Sequence, residues 1–193
     1  MSKGTETRNR IIARAALLFN RKGFVGCSMQ DIVEAVGLEK GSLYGHFAAK
    51  EELAIAAFEY SWRETSNARL AGMGTVDNVI EKLKLHVNQV VALPHFPGGC
   101  PLINTMVDSD DGNAALKKMT RQALKSWRLY LQSIVEEGQS RKEIRARVDP
   151  GEVAALIISL LEGAMVLDRA DKKTGFLKKA GKHLNSYLDS LAV

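Results

Sequence analysis

The sequence predicts an all-α protein of about nine helices. Apolar residues recur at helical spacing through most of the 193 residues, and no segment sustains the alternation of apolar and polar residues that is typical of a β-strand. The composition, 46% hydrophobic and 25% charged, is that of a folded soluble protein rather than a disordered chain. The chain is long enough to bury a substantial core in one or two domains.

The first helix is predicted to end at Gly23, because glycine breaks the helical pattern there. Its apolar positions, spaced i, i+3, i+4 and i+7, are Ile12, Ala15, Ala16 and Phe19.

Two short helices follow, over 28–36 and 39–47, with Gly37 between them. Ser28 is a suitable N-cap, and Asp31 three residues later completes a pattern that resembles a capping box. The sequence therefore predicts two short helices joined by a tight turn.

Longer helices are predicted to fill the rest of the chain. The segment "LPHFPGGCP" (93–101) and the segment "VDPGE" (148–152) are rich in proline and glycine and predict loops. The predicted helices are 50–70, 76–93, 101–110, 113–137, 150–169 and 173–191.

Charge and cysteine content restrict the class of protein. Residues 1–50 carry eight Lys/Arg and four Asp/Glu, so they hold +4 of the net charge of +5 and favour a polyanionic partner. Two cysteines make no disulfide framework, and the N-terminus lacks the apolar block of a signal peptide, which together favour the cytoplasm. The apolar run 153–167 is expected to be too short, and too interrupted by Glu162, to span a membrane.

The two short helices fit a helix-turn-helix, whose second helix enters the major groove of DNA. Gly41 and Ser42 are small enough for the backbone to approach DNA, while Leu38, Leu43 and Phe47 would form the apolar underside. An ordinary three-helix bundle with a polar outer face has the same spacing, so the spacing alone leaves both interpretations open.

The stretches "FNRKGF" and "GLEKGSLYGHFAAKEEL" closely resemble the DNA-binding head of the TetR/AcrR family of bacterial transcriptional regulators. Gly45, Val36 and Glu39 depart from the usual residues of that pattern. These differences put the sequence of the bound DNA in doubt, but not the family. The resemblance implies a DNA-binding domain over 1–50 and a helical effector-binding and dimerisation domain over 51–193. The residues that it assigns to DNA contacts are Ser28, Lys40, Gly41, Ser42, Tyr44, His46 and Lys50.

The resemblance also implies a homodimer, formed by the helices at 150–169 and 173–191. A short helix-turn-helix reads a useful site only in pairs, so we expect a palindromic DNA operator. The alternative is that both helices only complete the core of a monomer. The residues expected at the dimer interface are Leu156, Leu160, Ala164, Leu177, Leu184 and Leu188.

A ligand-responsive repressor is the function that the resemblance implies, released from DNA by a small-molecule effector bound among residues 50–138. The candidate lining residues are equally typical of a core. They are Trp62, His86, His95, Phe96, Cys100, Met106, Trp127, Tyr130 and Met165. The effector itself cannot be read from the sequence.

Other functions are less well supported. Cys100 lies just before a predicted helix N-terminus, which can make a thiol reactive, so an electrophile- or redox-sensing repressor is an alternative. An activator or a DNA organiser of the same fold is another. His95 and Cys100 fall short of a metal site, no cofactor is expected, and the motifs that mark common enzyme classes are missing.

Overall fold

A computed structural model describes residues 2–92 and 96–193. Over these residues the chain forms nine α-helices and a short 3-10 helix at Met73–Thr75. No β-strand forms within them, and an isolated antiparallel bridge pairs Ile144 with Ala192. The all-α prediction is confirmed. The helices are α1 Lys3–Gly26, α2 Met29–Val36, α3 Lys40–His46, α4 Lys50–Leu70, α5 Val79–Ala92, α6 Pro101–Ser109, α7 Ala114–Ser140, α8 Pro150–Ala170 and α9 Phe176–Asp189.

Helix α1 is broken at Gly23, where its regular turn was predicted to end. Gly23 has a φ of 77° and a ψ of 168°, and the chain then makes one further turn to Gly26. The carboxylate of Asp108 accepts a hydrogen bond from the Phe24 amide at 2.5 Å. The positive φ favours glycine here, and a Cβ at position 23 would lie 2.6 Å from that carboxylate, which would have to shift.

The chain folds into two compact units. The first comprises Met1–Thr65 and His95–Ala123, and the second comprises Ser66–Pro94 and Leu124–Val193. The predicted boundary at residue 50 divides the chain differently. Helix α6 and the first part of α7 belong with the N-terminal helices, because α6 packs directly against α1.

The core of the first unit lies among α1, α2, α3 and the start of α4. The side chains of Ile11, Ile32, Leu43 and Phe47 are fully buried there, and Phe96 packs at its edge. These residues come from four different segments, so the short helices α2 and α3 are held in place by tertiary packing rather than by their own propensity.

In the second unit, α9 packs against α5 and α8 of the same chain. Gly181 allows this close approach, because a Cβ there would lie 2.6 Å from Val91 Cγ2. The apolar stripe of α9 is therefore buried inside the unit, and its part in a dimer interface stays a prediction. The predicted interface residues that are buried in their own chain are Ala164, Leu177, Leu184 and Leu188.

A different apolar surface is left uncovered on α8. Leu156 and Leu160 are 42% and 37% exposed, and further along the helix Val166 and Leu167 are 49% and 50% exposed. Large aliphatic side chains on one exposed helix face are typical of a protein–protein contact. We refer to these four residues as the α8 face.

Helix α8 is longer than its apolar run predicts. Its 21 residues have a mean hydropathy of 1.6 over the most apolar window, which is sufficient in length and composition to cross a bilayer. The expectation of too short a span concerned the run 153–167 alone, and the helix that contains this run is longer. In the folded unit, however, Ile157 and Leu161 are buried, and Glu162 forms a buried ion pair with Arg69, as in a core helix.

Candidate nucleic-acid interface

Helix α2 begins with a complete capping box. The Ser28 side chain accepts a hydrogen bond from the Asp31 amide, and the Asp31 carboxylate in turn accepts from the Ser28 amide. The Ser28 hydroxyl also donates to that carboxylate. Lys22 reaches the other carboxylate oxygen at 2.5 Å. These bonds lower the pKa of Asp31, the bond from Lys22 contributing most, and the exposed carboxylate stays ionised at the start of the helix.

Gly37 makes the turn between α2 and α3. Its φ of 67° and ψ of 37° are left-handed, and its amide donates to the Val33 carbonyl at 3.0 Å. The Leu38 amide also donates to that carbonyl, at 3.4 Å. A residue with a Cβ is strained in this conformation, so Gly37 fixes the direction in which α3 leaves α2.

Helix α3 has one buried and one exposed side. Leu43 and the C-cap residue Phe47 are buried in the core of the first unit. The opposite side carries the predicted DNA-contacting residues Lys40, Gly41, Ser42 and Tyr44, all exposed, with Tyr44 at 44%. A tyrosine this exposed is not held by the core, so its ring and hydroxyl are available to a ligand.

Three cations of the first unit lie over aromatic rings. The Lys40 ammonium lies 6.0 Å from the centre of the Tyr44 ring. The Arg8 guanidinium lies 4.6 Å from the centre of the buried Phe47 ring, and the Lys50 ammonium 4.3 Å from that of Phe24. Arg8 and Lys50 thus combine a positive charge with a fixed aromatic neighbour, which restricts where each charge lies.

Two of the predicted contact residues are placed less favourably. His46 is only partly exposed at the end of α3. Ser28 is exposed, but its amide and its hydroxyl both already donate to Asp31. Ser28 is therefore a capping residue first, and a phosphate would have to compete with Asp31 for it.

The predicted effector residues fall into two groups. Trp62, Phe96, Cys100 and Met106 belong to the first unit, whereas His86, Trp127, Tyr130 and Met165 belong to the second. His95 lies outside the described residues. Cys100 is only 5% exposed, as the N-cap of α6.

A small cavity in the first unit is lined by other residues. Its volume of about 20 Å³ is enough for a water molecule but not for an organic effector. None of the predicted effector residues lines this cavity. Its wall includes Phe19, Phe24, Phe58, Ser61, Asn104 and Asp108.

In the second unit, His86 and Trp127 belong to a buried polar cluster that the sequence pattern does not reveal. Trp127 Nε1 donates to His86 Nε2 at 3.1 Å, and the Arg69 guanidinium lies 4.8 Å from the Trp127 ring centre. Arg69 Nη1 lies 3.0 Å from Glu162 Oε1. The sequence signal for this cluster was Glu162 itself, an acid in the middle of an apolar run.

Comparison with known proteins gives matches over both parts of the chain. The family model described as bacterial regulatory proteins, tetR family, matches residues 11–57. The model described as the tetracyclin repressor-like C-terminal domain matches residues 80–184.

Individual relatives agree with the family models. The crystal structure of a TetR transcriptional regulator from Chloroflexus aurantiacus is 37% identical, with a TM-score of 0.94, covering 100% of this chain and 98% of that one. A TetR-family regulator from Cytophaga hutchinsonii is 34% identical, with a TM-score of 0.92 and the same coverage. The HTH-type transcriptional regulator YxaF of Bacillus subtilis is 25% identical over 181 residues, or 89% of this chain and 90% of that protein.

Proposed function

Because the chain belongs to the TetR family of bacterial transcriptional regulators, we propose that it represses transcription by binding a palindromic operator as a homodimer and leaves the DNA when a small molecule binds. Membership of the family makes the chain a helix-turn-helix regulator and not an enzyme. The proposed role places the protein in the cytoplasm, where bacterial DNA lies.

The single observation that carries the DNA-binding proposal is the division of α3 into two sides. Leu43 and Phe47 anchor its inner side, while Lys40, Gly41 and Tyr44 leave the outer side uncovered. A short helix that is anchored in this way can enter a major groove without unfolding. Gly41 leaves open space where a Cβ would stand, so DNA backbone can approach closely.

We assign different tasks to the exposed residues. Tyr44 and Lys40 lie on the outer side of α3 and are proposed to reach base edges or the nearest phosphates. Lys50 and Arg8 lie beside buried or half-buried rings and are proposed to bind phosphate, which positions the head. Phosphate contacts make the affinity strongly dependent on salt.

The homodimer proposal rests on the α8 face. Its four large aliphatic residues are exposed in the single chain, and a second copy would cover them symmetrically. Two heads held in this way would bind half-sites about one helical turn apart, or about 34–36 Å.

Fluorescence anisotropy with duplexes tiled across the region upstream of the gene tests the proposal. We expect one near-palindromic tile to bind tightly, with an affinity that falls steeply as salt rises, and its scrambled version to bind weakly. Tyr44→Ala should weaken the specific complex by about tenfold or more. Equal binding to every tile, or no binding at low salt, would contradict a specific operator.

A matched pair of lysines separates contact from general charge. Lys40→Ala should lower the salt slope by about two, one for each protomer of the homodimer, whereas Lys118→Ala, which removes an exposed lysine of α7, should leave it unchanged. The same labelled duplex then serves to screen small molecules. A compound that releases the specific complex but not a non-specific one supports the effector part of the proposal.

The thiol-sensing alternative receives no specific support. Cys100 is buried at the start of α6, so a reagent could reach its sulfur only after local opening. Cys27 is also buried, and burial raises the pKa of its thiol, which disfavours the reactive thiolate.

A further inference from the structure

A solvent-open groove with a volume of about 450 Å³ lies within the second unit. This volume is within the range of small-molecule sites in proteins. The groove is formed by the loop between α7 and α8, the first turn of α8 and the end of α9. Its lining residues are Arg145, Arg147, Val148, Asp149, Glu152, Tyr187, Ser190 and Leu191.

The walls of the groove are fixed before any ligand arrives. The Gln139 side-chain amide donates to three carbonyls of the loop, those of Arg145, Ala146 and Val148, at 3.3, 3.3 and 2.7 Å. The Arg145 amide donates to the Leu191 carbonyl at 3.1 Å, which ties the loop to the chain after α9. A groove whose backbone is already ordered has less conformational entropy to lose on binding.

Hydrogen-bond donors without protein acceptors meet in this groove. Arg145 Nε is inaccessible to solvent and has no hydrogen-bond partner among the residues that the structure describes. Within that same part of the chain, no ion pair holds the guanidinium of Arg147 and no acceptor holds the hydroxyl of Tyr187. A guanidinium that no carboxylate of the protein pairs can take an anion in the groove as its partner.

The two acids of the groove both lie at the start of α8. Asp149 Oδ1 accepts from the amides of Gly151 and Glu152, at 2.7 and 3.0 Å, and so caps α8. Glu152 lies in the first turn of α8, where the helix dipole favours its charge. Burial, and then the Glu152 carboxylate, raises the pKa of Tyr187, so its hydroxyl keeps the proton that it would donate.

We propose that this groove binds a small oxyanion, a carboxylate or a phosphate, between Arg145, Arg147 and Tyr187. Arg145 and Arg147 would supply the positive charge, with Arg147 closing the open side, and the Tyr187 hydroxyl would orient the anion. A planar guanidinium suits both chemistries, because it can present two parallel N–H groups to two oxygens. The site does not depend on DNA binding or on the proposed effector.

NMR on the full-length, ¹⁵N-labelled protein without DNA tests the site directly. Inorganic phosphate and benzoate are titrated separately at constant ionic strength, with the arginine Nε–H signals as the readout. We expect at least one of the two anions to cause a saturable shift of the Arg145 signal. Arg145→Gln should lower the affinity for that anion by about tenfold or more, as expected for the loss of charge-assisted hydrogen bonds.

Two further variants distinguish specific binding from a general charge effect or from misfolding. Arg141→Gln removes the same charge four residues away, from a guanidinium already paired with Glu137 and Glu143, and should leave the affinity unchanged. Tyr187→Phe keeps the shape of the side chain and should weaken binding several-fold.

The proposal is overturned if neither anion produces a saturable shift, or if Arg141→Gln weakens binding as much as Arg145→Gln. It is also overturned if Arg145→Gln weakens self-association in sedimentation equilibrium while neither anion binds. That result would assign the missing acceptor to a second copy of the chain. Failure of DNA binding would leave the NMR and sedimentation readouts intact, so the two proposals fail separately.

Discussion

Trp127 donates its indole N–H to Nε2 of His86 at 3.1 Å, in the interior of the second unit. An acceptor at Nε2 places the imidazole proton on Nδ1, which lies 3.2 Å from the Arg69 carbonyl and donates to it. Both nitrogens are thus satisfied in the neutral ring. Burial, with a further contribution from the Arg69 charge, lowers the pKa of His86 to about 4.

This pair predicts a loss of stability in mild acid. The folded protein keeps His86 neutral while the unfolded chain protonates it near pH 6.5, so stability is complete above that pH. The free energy of unfolding falls as the pH drops from 6.5 to about 4. The total loss is about 1.4 kcal/mol for each unit by which the pKa of His86 differs between the folded and unfolded states. Urea denaturation at a series of pH values measures this slope.

His86→Gln provides the comparison, since an amide can donate and accept but does not titrate in this range. The variant should show a shallower slope between pH 6.5 and 4. His183→Gln, which replaces an exposed histidine of α9, should retain the slope of the original protein. Equal slopes in all three proteins would contradict the assignment.

The buried ion pair next to this cluster predicts a strong coupling. Arg69 and Glu162 side chains are 6% and 5% exposed, with 3.0 Å between Nη1 and Oε1. Replacing one partner leaves the other charge buried, so Arg69→Met or Glu162→Gln should each cost roughly 3–5 kcal/mol of unfolding free energy. The double variant should cost clearly less than the sum, and additive losses in denaturation experiments would rule out direct coupling.

Local backbone signals made most of the fold predictable. Gly23, Gly37, Pro101 and Pro150 mark helix ends because their conformational effects act on neighbouring residues and need no tertiary information. The buried cluster could not be predicted in this way. Arg69 and Glu162 are separated by 93 residues, and only the fold brings them together.

The α9 stripe shows a second limit. The spacing of Leu177, Leu184 and Leu188 correctly predicts an apolar helix face, but periodicity does not say what covers that face. In the fold, α5 and α8 of the same chain cover it. The predicted DNA-contacting residues remain predictions, although six of the seven lie on α3 or within four residues of its end.

At Gly98 we predict that adding a side chain lowers the stability of the fold. Its φ is 103°, and a Cβ would lie 2.8 Å from the Asn20 carbonyl. The Asn104 side-chain amide holds this turn by donating to the Gly98 carbonyl at 2.9 Å and to the Asn20 carbonyl at 3.1 Å. Gly98→Ala should therefore cost on the order of 1–3 kcal/mol in thermal unfolding. Gly112→Ala, where a Cβ meets nothing closer than 3.9 Å, should change stability little.

At Ser28 we predict that a substitution lowers stability but has little effect on DNA affinity. Removing its hydroxyl in Ser28→Ala deletes the N-cap of α2 and should cost about 1 kcal/mol of stability. Since the hydroxyl already donates to Asp31, DNA affinity at a temperature where the protein is fully folded should fall less than in Lys40→Ala. Calorimetry and anisotropy measure the two quantities. A larger loss of affinity in Ser28→Ala would mean that phosphate displaces Asp31 from the hydroxyl.

We predict that a single charge at the centre of the α8 face breaks the homodimer. Leu160 is 37% exposed in one chain and would be buried in the proposed homodimer, where Leu160→Glu would place an unpaired carboxylate. The variant should therefore sediment as a folded monomer and lose specific operator binding, because one head cannot span both half-sites. Val107→Glu, which adds the same charge at a 74% exposed residue of α6, should remain dimeric. A Leu160→Glu protein that stays dimeric by light scattering would show that the contact lies on another surface.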